Sequence, residues 1–286
     1  MDKIHKASIF MLLSAFSFSI MQIAVKYTAQ TIPVAELVFM RNFVMLLVAG
    51  SVVIKNKKPL YKEKKNLPLI LGRGFFGMLG VFLYFQATKY LPSAEASVLQ
   101  KSSPFFVAIF AYITMKEPMS KADIISMIVA FTGVLFVTKP SASGFNNYAI
   151  IALLSGIFAA MAYTCIGMLK GKEESHTIML SFAIVTCICM IPLMLGNFKV
   201  PNLKEIIGLA IVGICGMLGQ WFLTFAYMMA PAGKVSIFNY TTVIFTSILG
   251  YFIFGDKIDL FSGIGILLIF IGAYVAYVGK NKVEVR

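Results

Sequence analysis

Ser97, Gln100, Lys101 and Pro104 stand at i, i+3, i+4 and i+7 within an apolar run, the spacing that brings side chains onto one helical face. Lys101 is the sharpest of them. It lies about eight residues beyond the start of its run, roughly 12 Å deep at 1.5 Å per residue, too deep for easy snorkelling to an aqueous surface. A buried ammonium needs a partner or a depressed pKa, and no acid stands at helical spacing in the same run. The chemistry open to such a group is capture of an anion, for example a carboxylate, with Gln100 adding an orienting hydrogen bond. A second stripe, Ser236, Asn239, Tyr240 and Val243, follows 139 residues later. Helix–helix hydrogen bonding is the plainer reading of both stripes, worth only about 0.6 kcal/mol on average in a membrane.

Other polar residues in apolar runs are weaker candidates. Arg41 follows Pro33 and Glu36. It reads either as a charge lining a pathway or as half of a structural pair. A spacing of five is poor for a same-helix ion pair, so its partner is expected on another helix. Gln22 and Tyr163 correspond at an offset of 141 and, with Ser14, Ser17 and Ser155, either line a cavity wall or pack helices. Tyr84, Trp221 and Thr224 lie on neighbouring runs. Trp221, the one tryptophan, either stacks on a substrate or fills a core. Glu117 and Asp256 close two runs at helix C-termini, where the dipole disfavours an acid. Lys116, Lys121, Lys257 or the next helix N-terminus is expected to hold them in a structural role.

Several chemistries are excluded. Gly72-Arg73-Gly74-Phe75-Phe76-Gly77 fits GxGxxG, but no strand precedes it, so its glycines read as helix contacts and not as a dinucleotide fingerprint. Asn239-Tyr240-Thr241 fits a glycosylation sequon inside an apolar run. Cys165, Cys187, Cys189 and Cys215 form no CxxC pair and read as free buried thiols. No nucleophile–base–acid set or zinc spacing appears. An enzyme is not expected, and neither is a cofactor or a metal.

The elements that must position these residues are membrane helices. The 286 residues are 59% hydrophobic and only 13% charged, with mean hydropathy +0.86. A soluble protein of this size could not hide so much apolar surface. Ten spans are expected near 6–28, 33–54, 67–90, 93–115, 121–138, 147–170, 177–195, 204–228, 231–254 and 258–279, mostly long enough to cross a hydrocarbon core. Helices must carry them, because backbone polar groups in lipid need internal partners. The net charge of +13 reads as topology, not nucleic-acid binding. Six lysines lie between Lys55 and Lys65, which puts that loop and both termini in the cytoplasm. The bias is weak in the second half, where Lys199 and Lys204 fall outside. The first run begins near Ala7 and lacks a clean cleavage site, so it reads as a retained span.

The chain repeats itself. Gly77-Met78-Leu79-Gly80 recurs as Gly216-Met217-Leu218-Gly219, and at the same offset Ala87 meets Ala226, Pro92 meets Pro231, Ser97 meets Ser236, Glu117 meets Asp256 and Gly133 meets Gly272. Leu12-Leu13-Ser14 matches Leu153-Leu154-Ser155. The halves are residues 1–139 and 140–286. Five spans per half is odd, so the second half must enter the membrane from the opposite face. The fold expected is an all-α integral membrane protein of ten transmembrane helices in two inverted five-helix repeats, an arrangement whose sites lie near the midplane between the repeats.

The stretch from Tyr90-Leu91-Pro92-Ser93-Ala94-Glu95-Ala96-Ser97-Val98-Leu99-Gln100-Lys101-Ser102-Ser103-Pro104-Phe105-Phe106 to Lys116-Glu117 resembles the EamA branch of the drug/metabolite transporter superfamily. So does its second copy, Ala230-Pro231-Ala232-Gly233-Lys234-Val235-Ser236 through Gly255-Asp256, and Arg41 fits as well. The resemblance covers essentially the whole chain; its motifs are specific for family and poor for substrate, and it makes the acid at 117 and 256 expected. It implies export, less often uptake, of small metabolites such as amino acids, nucleosides, cofactors or drugs across the cytoplasmic membrane without ATP hydrolysis. The expected function is therefore a secondary exporter of small polar metabolites such as amino acids, working by alternating access. An uptake permease and a proton-coupled multidrug exporter are the alternatives. The acids near span ends and the deep lysine argue against cationic drugs. The expected substrate-binding set is Lys101, Gln100, Ser97, Asn239, Tyr240, Gln22, Tyr84, Tyr163, Trp221 and Arg41. The expected partners are a small-molecule substrate and the lipid bilayer, with the chain a monomer.

Overall fold

Long apolar runs whose backbone groups must bond internally can only be helical in lipid, and in the computed structural model the described residues form helices joined by short loops, with no strand among them. It describes residues 3–57, 59–116, 121–138, 146–169, 171–229 and 236–283. Eleven α-helices follow one another among them: α1 (Lys3–Thr28), α2 (Val34–Lys55), α3 (Leu67–Tyr90), α4 (Ser93–Gln100), α5 (Ser103–Met115), α6 (Lys121–Thr138), α7 (Asn147–Leu169), α8 (Ser175–Leu195), α9 (Leu203–Met229), α10 (Thr241–Phe254) and α11 (Leu260–Val283). Short 3₁₀ turns at Lys64–Asn66 and Ser236–Tyr240 precede α3 and α10. Among the described residues seven segments are long and apolar enough to cross a membrane, and three shorter apolar helices, Ile124–Val137, Phe238–Phe254 and Leu260–Gly272, accompany them. Leu47, Ile54, Leu195 and Phe252 are among the many large apolar side chains left exposed on the outside, as a protein solvated by lipid requires. The expected Glu117, Pro231, Gly233, Lys234 and Arg286 lie outside the described residues, and so do the side chains of Pro104 and Ser236.

The packing respects the sequence repeat. α1 lies along α9, α3 along α7, α2 along α8 and α6 along α11. Exchanging the halves turns the first pair into the second and returns the other two to themselves. The α6–α11 seam shows the same exchange in atomic detail. A Cβ on Gly133 would stand 2.6 Å from the Gly265 carbonyl oxygen, and one on Gly272 would stand 2.8 Å from that of Ser126. Residues 126 and 133 are the repeat counterparts of 265 and 272, so both contacts are one contact made twice. Small residues permit the close helix approach that association in lipid relies on.

The span expected as one helix over 93–115 is interrupted. α4 ends at Gln100, Lys101 caps it with φ −76° and ψ 2°, and α5 restarts at Ser103. Pro104 has no N–H to bond back to the Gln100 carbonyl, so the α4 ladder cannot continue through it. Ser102 turns its hydroxyl back to the Leu99 carbonyl at 2.6 Å. Gly156 of α7 allows close packing on the freed turn: its Cβ would sit 3.1 Å from the carbonyl oxygens of Leu99 and Gln100. Ser97, Gln100, Lys101 and Pro104 therefore do not share one continuous helical face. The ninth run changes from 3₁₀ to α-helix at Tyr240–Thr241, and residue 240 is the repeat counterpart of 101.

Candidate functional site

The two interruptions meet at a cavity at the centre of the bundle. Phe18 and Met21 of α1, Arg41 of α2, Arg73, Gly77, Gly80, Val81, Tyr84 and Phe85 of α3, Ala159, Ala162 and Tyr163 of α7, Phe182 of α8 and Gln220 of α9 surround it, with Gln100, Lys101 and Thr242 at the interruptions. About 60 Å³ is open to water, room for a few water molecules and less than a metabolite-sized pocket of roughly 300 Å³ or more. A substrate can occupy this site only when the helices separate.

Among the described residues three cationic side chains line the cavity and no acid does. Lys101 is 7% exposed; its Nζ donates to Asn239 Oδ1 at 3.0 Å and stands 5.6 Å from the Phe18 ring centroid. Arg41 and Arg73 are each 3% exposed, and their guanidinium carbons stand 5.5 and 4.3 Å from the Phe182 ring centroid. Arg41 Nη1 donates to Asn42 Oδ1 at 3.3 Å, and its Nη2 reaches Gln220 Oε1 only at 3.5 Å. The Nε of both arginines is buried without a hydrogen-bond partner among the described residues. Two glycines make room for them. A Cβ on Gly77 would stand 2.0 Å from Arg73 Nη1, and one on Gly216 would stand 2.7 Å from Arg41 Cγ. These are the first glycines of the two Gly-Met-Leu-Gly copies. Tyr84 donates to Gln22 Oε1, and Gln22 Nε2 donates to the Ser93 carbonyl at 2.8 Å, which ties the cavity wall to the start of α4.

Of the residues singled out in the sequence, Lys101, Gln100, Arg41, Tyr84 and Tyr163 line the cavity. Asn239 and Gln22 stand behind it, bonded to Lys101 and Tyr84. Ser97 is buried within α4. Tyr240 packs against Phe270 with ring centroids 5.7 Å apart. Trp221 stacks on Phe225 and faces a separate vestibule. Ser14 serves as helix glue, donating to the Gly219 carbonyl at 2.7 Å. Arg41 does find its partner on another helix, Gln220, while the Glu36 carboxylate accepts the Lys199 backbone N–H at 2.8 Å. Arg73, Phe182 and Gln220 were not among the candidates. Arg73 could have been found as an arginine inside an apolar run, but the glycines around it drew the reading towards packing.

Each end of the bundle is fastened by a carboxylate outside the helices. At one end Asp256 binds Lys26 Nζ at 2.6 Å and accepts from the backbone N–H and hydroxyl of Ser93 at 2.9 and 2.8 Å. The lysines next in sequence, expected as its partners, are replaced in that role by Lys26, because α1 packs beside α10. Burial pushes the Asp256 carboxyl up, and Lys26 and Ser93 outweigh it, leaving the group below its usual range. At the other end Glu173 accepts from Asn66 Nδ2 and from the Lys62 backbone N–H, both at 2.9 Å. Burial raises this carboxyl too, and these donors pull it below the usual range. Beside Glu173 a vestibule of about 520 Å³ opens between α2, α8 and α9, lined by Lys62, Glu174, His176, Met45, Met179, Met217 and Trp221 among others. Met45, Met179 and Phe182, with Met217 and Trp221 against them, form the apolar layer between vestibule and cavity.

Known proteins share this organisation. A model of the EamA-like transporter family matches residues 5–139 and again 146–278. The chain is 32% identical over 271 residues to the pseudopaline exporter CntI of Pseudomonas aeruginosa (strain UCBPP-PA14), covering 94% of this chain and 95% of that one. It is 28% identical over 248 residues to an S-adenosylmethionine uptake transporter of Rickettsia bellii, covering 87% and 85%. One solved structure, titled "Crystal structure of protein", superposes with a TM-score of 0.66 at 17% identity over 96% of this chain and 98% of that one, a likeness of fold.

Proposed function

The chain belongs to the EamA-like transporter family, multi-pass membrane proteins that transport and do not catalyse, and from that premise we propose that it is a secondary active exporter of small polar metabolites bearing a carboxylate, amino acids among them. The observation that carries this reading is the small central cavity, where buried Arg41, Arg73 and Lys101 converge beside the irregular turns of two repeat-related spans. Discontinuous helices at corresponding positions of two halves are the usual pointer to a transporter's binding site. In this reading α4 with α5, and the 3₁₀ turn with α10, each make one broken span, which gives ten spans. Residues 1–139 and 140–286 are inverted repeats in the cytoplasmic membrane, with both termini in the cytoplasm.

The vestibule beside Glu173 then faces the cytoplasm, and the Lys26–Asp256–Ser93 fastening closes the outside. Rocking of the halves parts the methionine layer on one side and the Asp256 fastening on the other, in alternation. Lys101 takes a carboxylate, and Gln100, Gln220, Tyr84 and Tyr163 orient the rest. Uptake stays open as the direction, since one relative is named as an exporter and another as an uptake transporter. A cationic drug fits poorly against Lys101, Arg41 and Arg73, with no acid among the described lining residues to exchange protons.

Proteoliposomes loaded with labelled amino acids, nucleosides or organic cations test the proposal. The expected result is carrier-dependent efflux of carboxylate-bearing compounds, driven by an imposed gradient without ATP. Movement of the organic cations alone would sink it.

A further inference from the structure

A single carboxylate does not answer the charge that the cavity holds. Arg41 and Arg73 share one phenyl ring, Phe182, at 5.5 and 4.3 Å, so two guanidiniums flank the same ring in a cavity with room for only a few water molecules. Like charges beside one ring repel in a poor dielectric, and burial of an uncompensated cation is costly. The protein offers them little. The hydrogen bonds of Arg41 are long, at 3.3 and 3.5 Å, and the Nε of each arginine is buried without a partner among the described residues. The arrangement is nevertheless built. Gly77 and Gly216 stand where any side chain would push Arg73 or Arg41 aside. Lys101 enters separately, from the break between α4 and α5, held by Asn239 and near Phe18 and not Phe182. A bidentate guanidinium matches one carboxylate or phosphate, and the ammonium then needs another. Among the described residues no Asp or Glu lines the cavity to receive the amino group of a zwitterion.

We propose that the substrate carries at least two acidic groups, one held by Arg41 and Arg73 and the other by Lys101. The substrate class is a small polycarboxylate or a phosphorylated carboxylate. This rests on the transporter reading above and narrows it, and it makes Arg73 a specificity residue.

The test uses the purified full chain and compounds of matched size: glutarate, its monoamide glutaramate and its diamide, with citrate and phosphoglycolate as larger and phosphate-bearing arms, all at equal ionic strength. Thermal stabilisation titrations read binding. The proposal expects glutarate to bind about ten- to hundredfold more tightly than glutaramate, the scale of one charge-assisted hydrogen bond. Arg73→Gln removes that preference, while Arg73→Lys keeps part of it. Lys101→Met removes it as well. Stronger binding of phosphoglycolate than of glutarate supports the proposal with phosphate as the second acid; the reverse supports it with carboxylate. Equal binding of diacid and monoamide overturns it, as does an undiminished preference in correctly folded Arg73→Gln protein. Counterflow in proteoliposomes separates the two readings. Diacids that bind selectively but never move contradict transport and leave the site intact. Monocarboxylate amino acids that move as fast as diacids in both wild type and Arg73→Gln contradict the two-acid site and leave transport intact.

Discussion

The interrupted span at 100–103 and its counterpart at 239–241 share a position in the repeat but divide the chemistry between them. The first puts an ammonium into the cavity. The second puts Tyr240 against Phe270 and supplies, through Asn239, the acceptor that holds that ammonium. Irregular helix at this position is thus the shared part, and the side chain at 101 and 240 is not. The Gly-Met-Leu-Gly copies teach the reverse lesson. Both first glycines do the same job, clearing space for an arginine, yet one arginine lies four residues before its glycine on the same helix and the other comes from α2. The duplicated framework supplies positions, and single substitutions on it supply charge.

The largest expected effect tests that division at its centre. Lys101→Met lowers transport by about ten- to hundredfold, the value of a charge-assisted bond in a buried site. Tyr240→Phe, at the matching position, lowers it by about threefold at most, because the ring contact is kept and an interhelical hydrogen bond in lipid is worth about 0.6 kcal/mol. Initial rates at equal amounts of reconstituted protein decide between them. Next come the glycines. Gly77→Ala would put a methyl group 2.0 Å from Arg73 Nη1 and 2.9 Å from the Phe182 ring, and overpacking of this kind costs about 1–3 kcal/mol. Substrate affinity is expected to fall by about tenfold, measurable by titration, whereas Gly196→Ala, with open space around it, leaves affinity unchanged.

Asn239→Leu should act on stability more than on recognition. It keeps the volume and removes the acceptor of Lys101, at a cost of about 1–3 kcal/mol for the buried ammonium left behind. A lower melting temperature that substrate restores is the expected reading. The smallest effect concerns Asp256. Its carboxyl is held below the usual range by Lys26 and Ser93, so it contributes stability at neutral pH that is lost as pH falls through its folded value. Wild type should therefore lose melting temperature on acidification below the ordinary carboxylate range. Asp256→Asn should start lower at neutral pH and lose less, the remainder reporting Glu173 and the other carboxylates.

Helical class, lipid exposure and repeat were legible because they rest on composition and on long matched runs. The cavity was half legible. Lys101 and Arg41 stood out as charges in apolar runs, and Gln22, Tyr84 and Tyr163 as polar groups in helix interiors. The break at Lys101 was written in Ser102-Ser103-Pro104, yet regular i, i+4 spacing argued for one face, and a local proline effect overrode the periodicity. Arg73 was hidden by its own surroundings: glycines that read as helix contacts are also what a folded-back guanidinium needs. Lys26 as the partner of Asp256 is a tertiary fact, set by α1 packing against α10, and neighbouring lysines in sequence pointed elsewhere.

Counterflow of one labelled carboxylate substrate through reconstituted wild type, Lys101→Met and Tyr240→Phe protein, measured side by side, tests the central claim most directly. The account predicts exchange through wild type and Tyr240→Phe and a loss of about ten- to hundredfold through Lys101→Met. Wild-type exchange through Lys101→Met, or equal loss in both variants, would contradict it.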